Sequence, residues 1–272
     1  MNKSQVILTA VAILLTVGLY SLPKVVINNS KLEESAFIDD SVPGGIVDHS
    51  TEIPEAFADR ISFWKDRLFE NNEIQLEPAS LDSLMAVFME INKYDSAAHY
   101  AELYAIKFDE IDHWQKAGEA YYEAFSFALD EQKIRLLGQK TRKVYEKVLA
   151  QRPDDLDAQH DIGMTYVIGS SNPMQGIMML RGILDKDPKN LKTLLSMGFM
   201  SINTSQFENA ADRFETLVEN YPQHIEGNFF LGVAYYETGQ MVKAKTQFNK
   251  VKELGANEQT LTAADEYLER IN

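Results

Sequence analysis

Cysteine is absent from the 272 residues, so no disulfide, thiolate chemistry or lipid-modified cysteine is available. That absence suits oxidising and reducing compartments equally. Glycine (14) and proline (8) are scarce, which favours long helices over sheets and tight turns. Positive charge is also short: 26 Lys and Arg against 41 Asp and Glu leave a net charge of −15. With no basic stripe to neutralise phosphates, unspecific nucleic-acid binding is excluded and broad contact with anionic headgroups is disfavoured. Catalytic motifs are missing as well. His49, His99, His113, His160 and His224 stand apart, and the chain has no His-Glu-x-x-His, glycine-rich phosphate loop or nucleophile elbow. His113 beside Trp114 and His160 beside Asp161 read as helix-surface residues. The expectation is a non-enzymatic protein with no catalytic, metal or cofactor-binding residues.

What is present begins with an apolar run. Residues 6–23 carry no charged side chain, and Val25, Val26 and Ile27 extend the stretch. At about 1.5 Å per residue those residues span roughly 27 Å, close to the hydrocarbon thickness of a bilayer. Residues 1–27 are therefore expected to form a single transmembrane anchor contacting lipid through 6–27, with a cleaved signal peptide as the alternative. Thr16-Val17-Gly18, the nearest small-residue candidate for cleavage, lies inside the run. Lys3 before the run is balanced by Lys24 and Lys31 after it, so orientation rests on layout. A short tail ahead of a large soluble domain is the arrangement of a bacterial inner-membrane signal anchor with a periplasmic domain. Residues 28–53 read as an acidic flexible linker broken by Pro43-Gly44-Gly45, either a plain spacer or a carrier of a short docking segment at Phe37-Ile38 or Ile46-Val47.

Beyond the linker the pattern is helical throughout. Residues 54–77 are expected to form a packing helix, with Pro54 in its first turn, Thr51 as a cap, and Phe57, Ile61, Trp64 and Leu68 on one stripe. Trp64 is either core or an exposed anchor for a partner. Across residues 191–258 one pattern then occurs twice at a spacing of 34: Met197-Gly198 and Leu231-Gly232, Ala210 and Ala244, Phe214 and Phe248, Leu217 and Val251. Each copy reads as two antiparallel helices, with Gly239 placed where the first helix of the last copy stops. One such hairpin cannot bury its own apolar face, so neighbours must stack.

The set Asn228, Leu231, Gly232, Tyr235, Ala244, Phe248, Val251 and Ala256 resembles the tetratricopeptide-repeat family. Asn228 stands where the family has Trp, and Ala256 where it has Pro. The resemblance implies an all-α, right-handed helical-hairpin solenoid, here preceded by the single transmembrane helix. It extends upstream as four to five repeats over 78–258, at 78–110, 111–155, 156–190, 191–224 and 225–258. Residues 259–272 follow as a capping helix. About 11 extra residues near 127–134 should lengthen both helices of the second repeat. Gly176 and Gly182, with Met174, Met178 and Met179 around them, mark the second helix of the third repeat as the soft place in the stack.

In this family the first helices line an inner, protein-binding face. The positions that internal packing should leave free include Tyr122, Met164, Leu195, Phe199, Ile202, Phe229, Val233, Tyr236 and Glu237. Either these receive an apolar helix or extended segment of a partner, or the solenoid buries part of them against itself. The carboxylate clamp of some family members is not expected, because Phe229, Val233 and Glu237 occupy its places. Membrane-anchored bacterial members serve as scaffolds or chaperone-like subunits of envelope complexes, as cytochrome c maturation factors, or as translocon-associated chaperone partners. The expected partners are one or more proteins of a membrane or envelope complex, and self-association is open. With the domain outside the cytoplasm, protease added to intact spheroplasts should digest it; protection of the domain would place it inside.

Overall fold

In the computed structural model the described residues are 53–71 and 73–271; the expected anchor, linker and Thr51 cap lie outside them. Twelve α-helices and one two-stranded β-hairpin are present among these residues. None of the helices is long and apolar enough to cross a membrane.

Helix α1 (Glu55–Leu68) is shorter than the packing helix expected over 54–77. Strands β1 (Phe69–Glu70) and β2 (Glu73–Ile74) pair antiparallel, with Asn71 at φ 51° in the connection. Ile61 and Leu68 are buried as the stripe requires, while Phe57 and Trp64 are only half-covered because α1 packs mainly on one neighbour.

Five helical hairpins follow: α2 (Pro78–Glu90) with α3 (Tyr94–Phe108), α4 (Ile111–Phe127) with α5 (Glu131–Gln151), α6 (Leu156–Gly169) with α7 (Pro173–Lys186), α8 (Leu191–Asn203) with α9 (Phe207–Asn220), and α10 (Ile225–Glu237) with α11 (Met241–Glu253). Helix α12 (Glu258–Ile271) closes the stack. The extra residues of the second hairpin go into its helices, 17 and 21 residues long against 13 and 13 in the fifth.

The turns inside the first, fourth and fifth hairpins share one geometry. Asn92, Ser205 and Gly239 take positive φ (58°, 56° and 76°). The next backbone N–H reaches five residues back: Lys93 to the Phe88 carbonyl, Gln206 to Ser201 and Gln240 to Tyr235, each 2.8 Å. This left-handed stop satisfies carbonyls that the ending helix leaves unpaired. Between hairpins a second device recurs. Asp155, Asn190, His224 and Asn257 accept backbone N–H bonds from Ala158, Thr193, Gly227 and Thr260 at 2.9–3.0 Å, capping the following helix. Pro153, Pro188 and Pro222 precede the first three caps by two residues and end the helix before them.

In every hairpin but the first, which has no glycine, the two helices meet through one. Gly118 lies under the Tyr145 ring, Gly198 under Phe214 and Gly232 under Phe248, each ring occupying the space a Cβ would need. The third hairpin differs. Leu180 replaces the ring, and the helices close the gap until α7 at Gly176 rests on the Gly163 carbonyl. Gly176 is thus required for packing, a correction to its reading as a weak helix residue. Gly182, with nothing within 4 Å of a Cβ placed there, fits that reading. Around the third-to-fourth junction the buried cluster is only Leu180, Ile183 and Met197, whereas Phe214, Leu217, Leu231, Phe248 and Val251 anchor a larger one downstream.

The two glycines should therefore respond with opposite signs. In chemical denaturation Gly182→Ala should add about 0.5–1 kcal/mol of stability. Gly176→Ala should remove about 1–3 kcal/mol, as overpacking does.

Candidate protein-binding face

Helices α4, α6, α8 and α10 are the first members of successive hairpins, and their sides turned away from their own partners form one continuous face. At its upstream end, Tyr122 is half-buried, with its ring 6.0 Å from Phe125 and 6.4 Å from His160 and the Lys192 ammonium 5.3 Å above it. Burial, then the nearby Asp161 charge, pushes its phenol pKa up. Glu119 and Glu123 flank Tyr122 on the same helix, Glu119 exposed and accepting from Gln115 Nε2 at 3.0 Å, Glu123 half-buried. Met164 comes next, half-buried beside the Leu180, Ile183 and Met197 cluster, and Ile168 is 57% exposed, whereas Val167 turns to its own partner helix, against Gly176 of α7. Leu195, Phe199 and Ile202 continue the strip on α8 and remain half-exposed. Phe199 anchors it edge-on to Phe230 at 4.6 Å.

At the downstream end the face is covered. Tyr267 of α12 packs 5.1 Å from Tyr236, 6.3 Å from Phe229 and 4.8 Å from Phe248, and Val233 is 7% exposed. Contrary to the expectation that internal packing leaves them free, Phe229, Val233 and Tyr236 serve the cap. The reason is that an apolar solenoid end must be closed by something, and α12 supplies a ring for it. Glu237 stays exposed at the edge; partial burial raises its carboxyl pKa, while the Arg270 charge opposes the rise. Of the nine expected residues, only Val233 is buried; Phe229 and Tyr236 are half-buried with Tyr267 packed on them, Tyr122, Met164, Leu195, Phe199 and Ile202 are half-buried on α4, α6 and α8, and Glu237 is exposed.

Sequence reasoning missed the polar network beneath the residues on α4, α6 and α8. His160 and Asp161, expected at the surface, are 1% and 2% exposed. His160 Nδ1 lies 2.9 Å from Asp161 Oδ1, and its Nε2 lies 2.9 Å from Ser196 Oγ on α8. The Tyr145 hydroxyl donates to Asp161 Oδ2 at 3.0 Å, and Lys192 pairs with Asp161 Oδ1 at 2.6 Å. The Ser-His-Asp order invites comparison with a nucleophile relay, but the surroundings serve packing. Ser196 lies in the middle of α8, where neighbouring backbone N–H groups close the helix ladder and none is aimed at a developing oxyanion. The Asp161 charge is already shared with Lys192 and Tyr145. The network joins the second, third and fourth hairpins. Its only sequence signal was the adjacency of His160 and Asp161.

A further recurring contact crosses the junctions on the other side. The Tyr121 hydroxyl donates to Glu102 at 2.5 Å with Lys140 3.1 Å from that hydroxyl, and the Tyr235 hydroxyl donates to Glu215 at 2.5 Å with Lys243 3.8 Å from the carboxylate. These trios occupy equivalent repeat positions, so the first-to-second and fourth-to-fifth junctions share their contacts.

The chain folds as a tetratricopeptide-type solenoid. It matches no family model and no curated protein. Among solved structures it is similar to that of MamA, at 14% identity and a TM-score of 0.47 over 63% of this chain and 94% of that one. It is similar to YrrB, described as a TPR protein with an unusual peptide-binding site, at 15% identity and a TM-score of 0.44 over 78% and 98%. A tetratricopeptide repeat protein from Parabacteroides merdae gives 14% and 0.48 over 79% and 92%.

Asp161→Asn should cost about 2–3 kcal/mol, because it weakens charge-assisted bonds to Lys192 and Tyr145 together. Ser196→Ala, which removes one hydrogen bond, should cost about 1 kcal/mol. Denaturant titrations of both variants check the ordering.

Proposed function

We propose that this chain is a non-enzymatic, membrane-tethered scaffold or chaperone-like subunit of a bacterial envelope complex. Its inner face receives an apolar helix or extended segment of a partner protein. The observation that carries the reading is the strip Met164, Ile168, Leu195, Phe199 and Ile202, which stays partly or largely exposed on two successive first helices. Tyr267 of α12, packed on Phe229 and Tyr236, bounds the strip downstream, and the preceding first helix, α4, carries Glu119 and Glu123. A preorganised apolar floor with polar ends suits an amphipathic segment whose apolar residues recur at helical spacing. Support for the tether is the uncharged length of residues 6–23. A periplasmic location is part of the same proposal.

A photocrosslinking residue placed at Leu195 or Ile202 of the full chain should trap one protein in cells, while the same residue at the 83% exposed Val242 should not. Adding Leu195→Asp and Ile202→Asp together should release that protein from detergent extracts without loss of helical content. Trapping at Val242 instead, or unchanged recovery with the double variant, would move the site elsewhere.

A further inference from the structure

The clamp that ties the first to the second hairpin and the fourth to the fifth is rewritten at the third-to-fourth junction. Counting back 34 residues from Glu215, Tyr235 and Lys243 gives Arg181, Ser201 and Asn209. All three members change, and the carboxylate becomes a guanidinium. In place of the missing phenol, Arg213 of α9 reaches in and donates to the Ser201 hydroxyl at 2.5 Å. Burial, then repulsion from Arg181, lowers the Arg213 pKa, while Asp212 acts the other way. Among the described residues neither guanidinium makes an ion pair, in a chain whose net charge is −15.

The surroundings of the pair are open and apolar. Gly182 leaves empty space beside Arg181. Met174, Met178 and Arg181 recur four and three residues apart on one stripe of α7, the two methionines 57% and 66% exposed. Asn172, Met174, Gln175, Met178 and Met179 line a depression of about 520 Å³ along that stripe. Flexible thioethers adapt to varied apolar side chains, and two neighbouring guanidiniums that make no ion pair among the described residues, with Arg213 Nη1 held by Ser201 and the Asn209 carbonyl, suit a carboxylate.

We propose that the outer face of α7, on the third hairpin beside its junction with the fourth, is a second docking surface, for a partner-protein segment that carries both carboxylate and apolar side chains. A carboxylate of that segment seats between Arg181 and Arg213, where other junctions place Glu102 and Glu215. Its apolar side chains lie on Met174 and Met178. The partner thereby completes the junction clamp from outside, at the place where the buried core between hairpins is smallest. This surface is independent of the inner face and stands or falls separately.

The probe is a short fluorescein-labelled peptide with Glu and Leu at helical spacing, set against the same peptide with Gln for Glu. Both are titrated by anisotropy against the full chain in neutral detergent. The Glu peptide should bind roughly ten-fold more tightly, as one charge-assisted pair allows, and the gap should shrink with salt. Arg181→Glu and, separately, Arg213→Gln should erase the preference, with the helical signal and melting temperature confirming that each variant folds. Arg135→Glu on α5 should leave the preference intact. Equal affinity for the two peptides, binding of neither, or a Glu preference that survives Arg181→Glu would overturn the proposal.

Discussion

The close approach of two helices across a glycine is the constraint on which the second to fifth hairpins depend. A glycine in the first helix lets a ring in the second fill the space a side chain would take: Tyr145 over Gly118, Phe214 over Gly198, Phe248 over Gly232. These rings are at most 0% exposed and are among the largest buried side chains of the protein. Everything that hydrogen bonds to the hairpins, from the left-handed turns to the caps at Asp155, Asn190 and His224, presupposes that spacing. Where the ring is lost, at Leu180, the helices move together until only a second glycine, Gly176, is tolerated. A small change of volume in a close-packed interior is therefore absorbed by backbone position and not by a void.

Stacking adds a second layer of specification. Apolar burial between hairpins carries no direction, whereas the Tyr121, Glu102 and Lys140 trio and its Tyr235, Glu215 and Lys243 counterpart set register by pairing particular atoms. The second-to-third junction keeps Glu146 and Tyr166 but lays the Tyr166 ring 4.5 Å from Arg142. At the third-to-fourth junction the pairing is carried instead on the inner side, through Asp161, His160, Lys192 and Ser196. His160 and Asp161 are satisfied there by one another, Ser196, Lys192 and Tyr145, which makes the contact specific, although the buried Thr193 hydroxyl beside them has no partner among the described residues. The outer side of the same junction is left with positive charge and exposed methionine. The stack is thus asymmetric at one place, joined from within and open from without.

The same logic explains how the inner face divides. Closing the solenoid consumes the apolar residues of the last hairpin, because α12 must bury Leu261, Ala264 and Leu268 somewhere and Tyr267 with them. The hairpins further in have neighbours on both sides and need no such cover, so Met164, Leu195 and Ile202 keep part of their surface. A residue's chemistry is the same at either place; its availability depends on distance from the end of the stack.

Sequence alone determined the hairpin unit, its period and most of its core, because apolar periodicity, a glycine at a fixed position and a helix-stopping proline are local signals. Leu231, Gly232, Tyr235, Ala244 and Phe248 could be read as packing residues before any coordinates, and all five are buried. Tertiary structure decided what depended on contacts between hairpins. It turned His160 and Asp161 from surface residues into a buried pair, gave Gly176 a packing role, and assigned Phe229 and Tyr236 to the cap. It also ended α1 at Leu68 and placed a β-hairpin after it. The physical reason is range: periodicity along one helix fixes which side is buried, but which neighbour meets that side is set by atoms many residues distant.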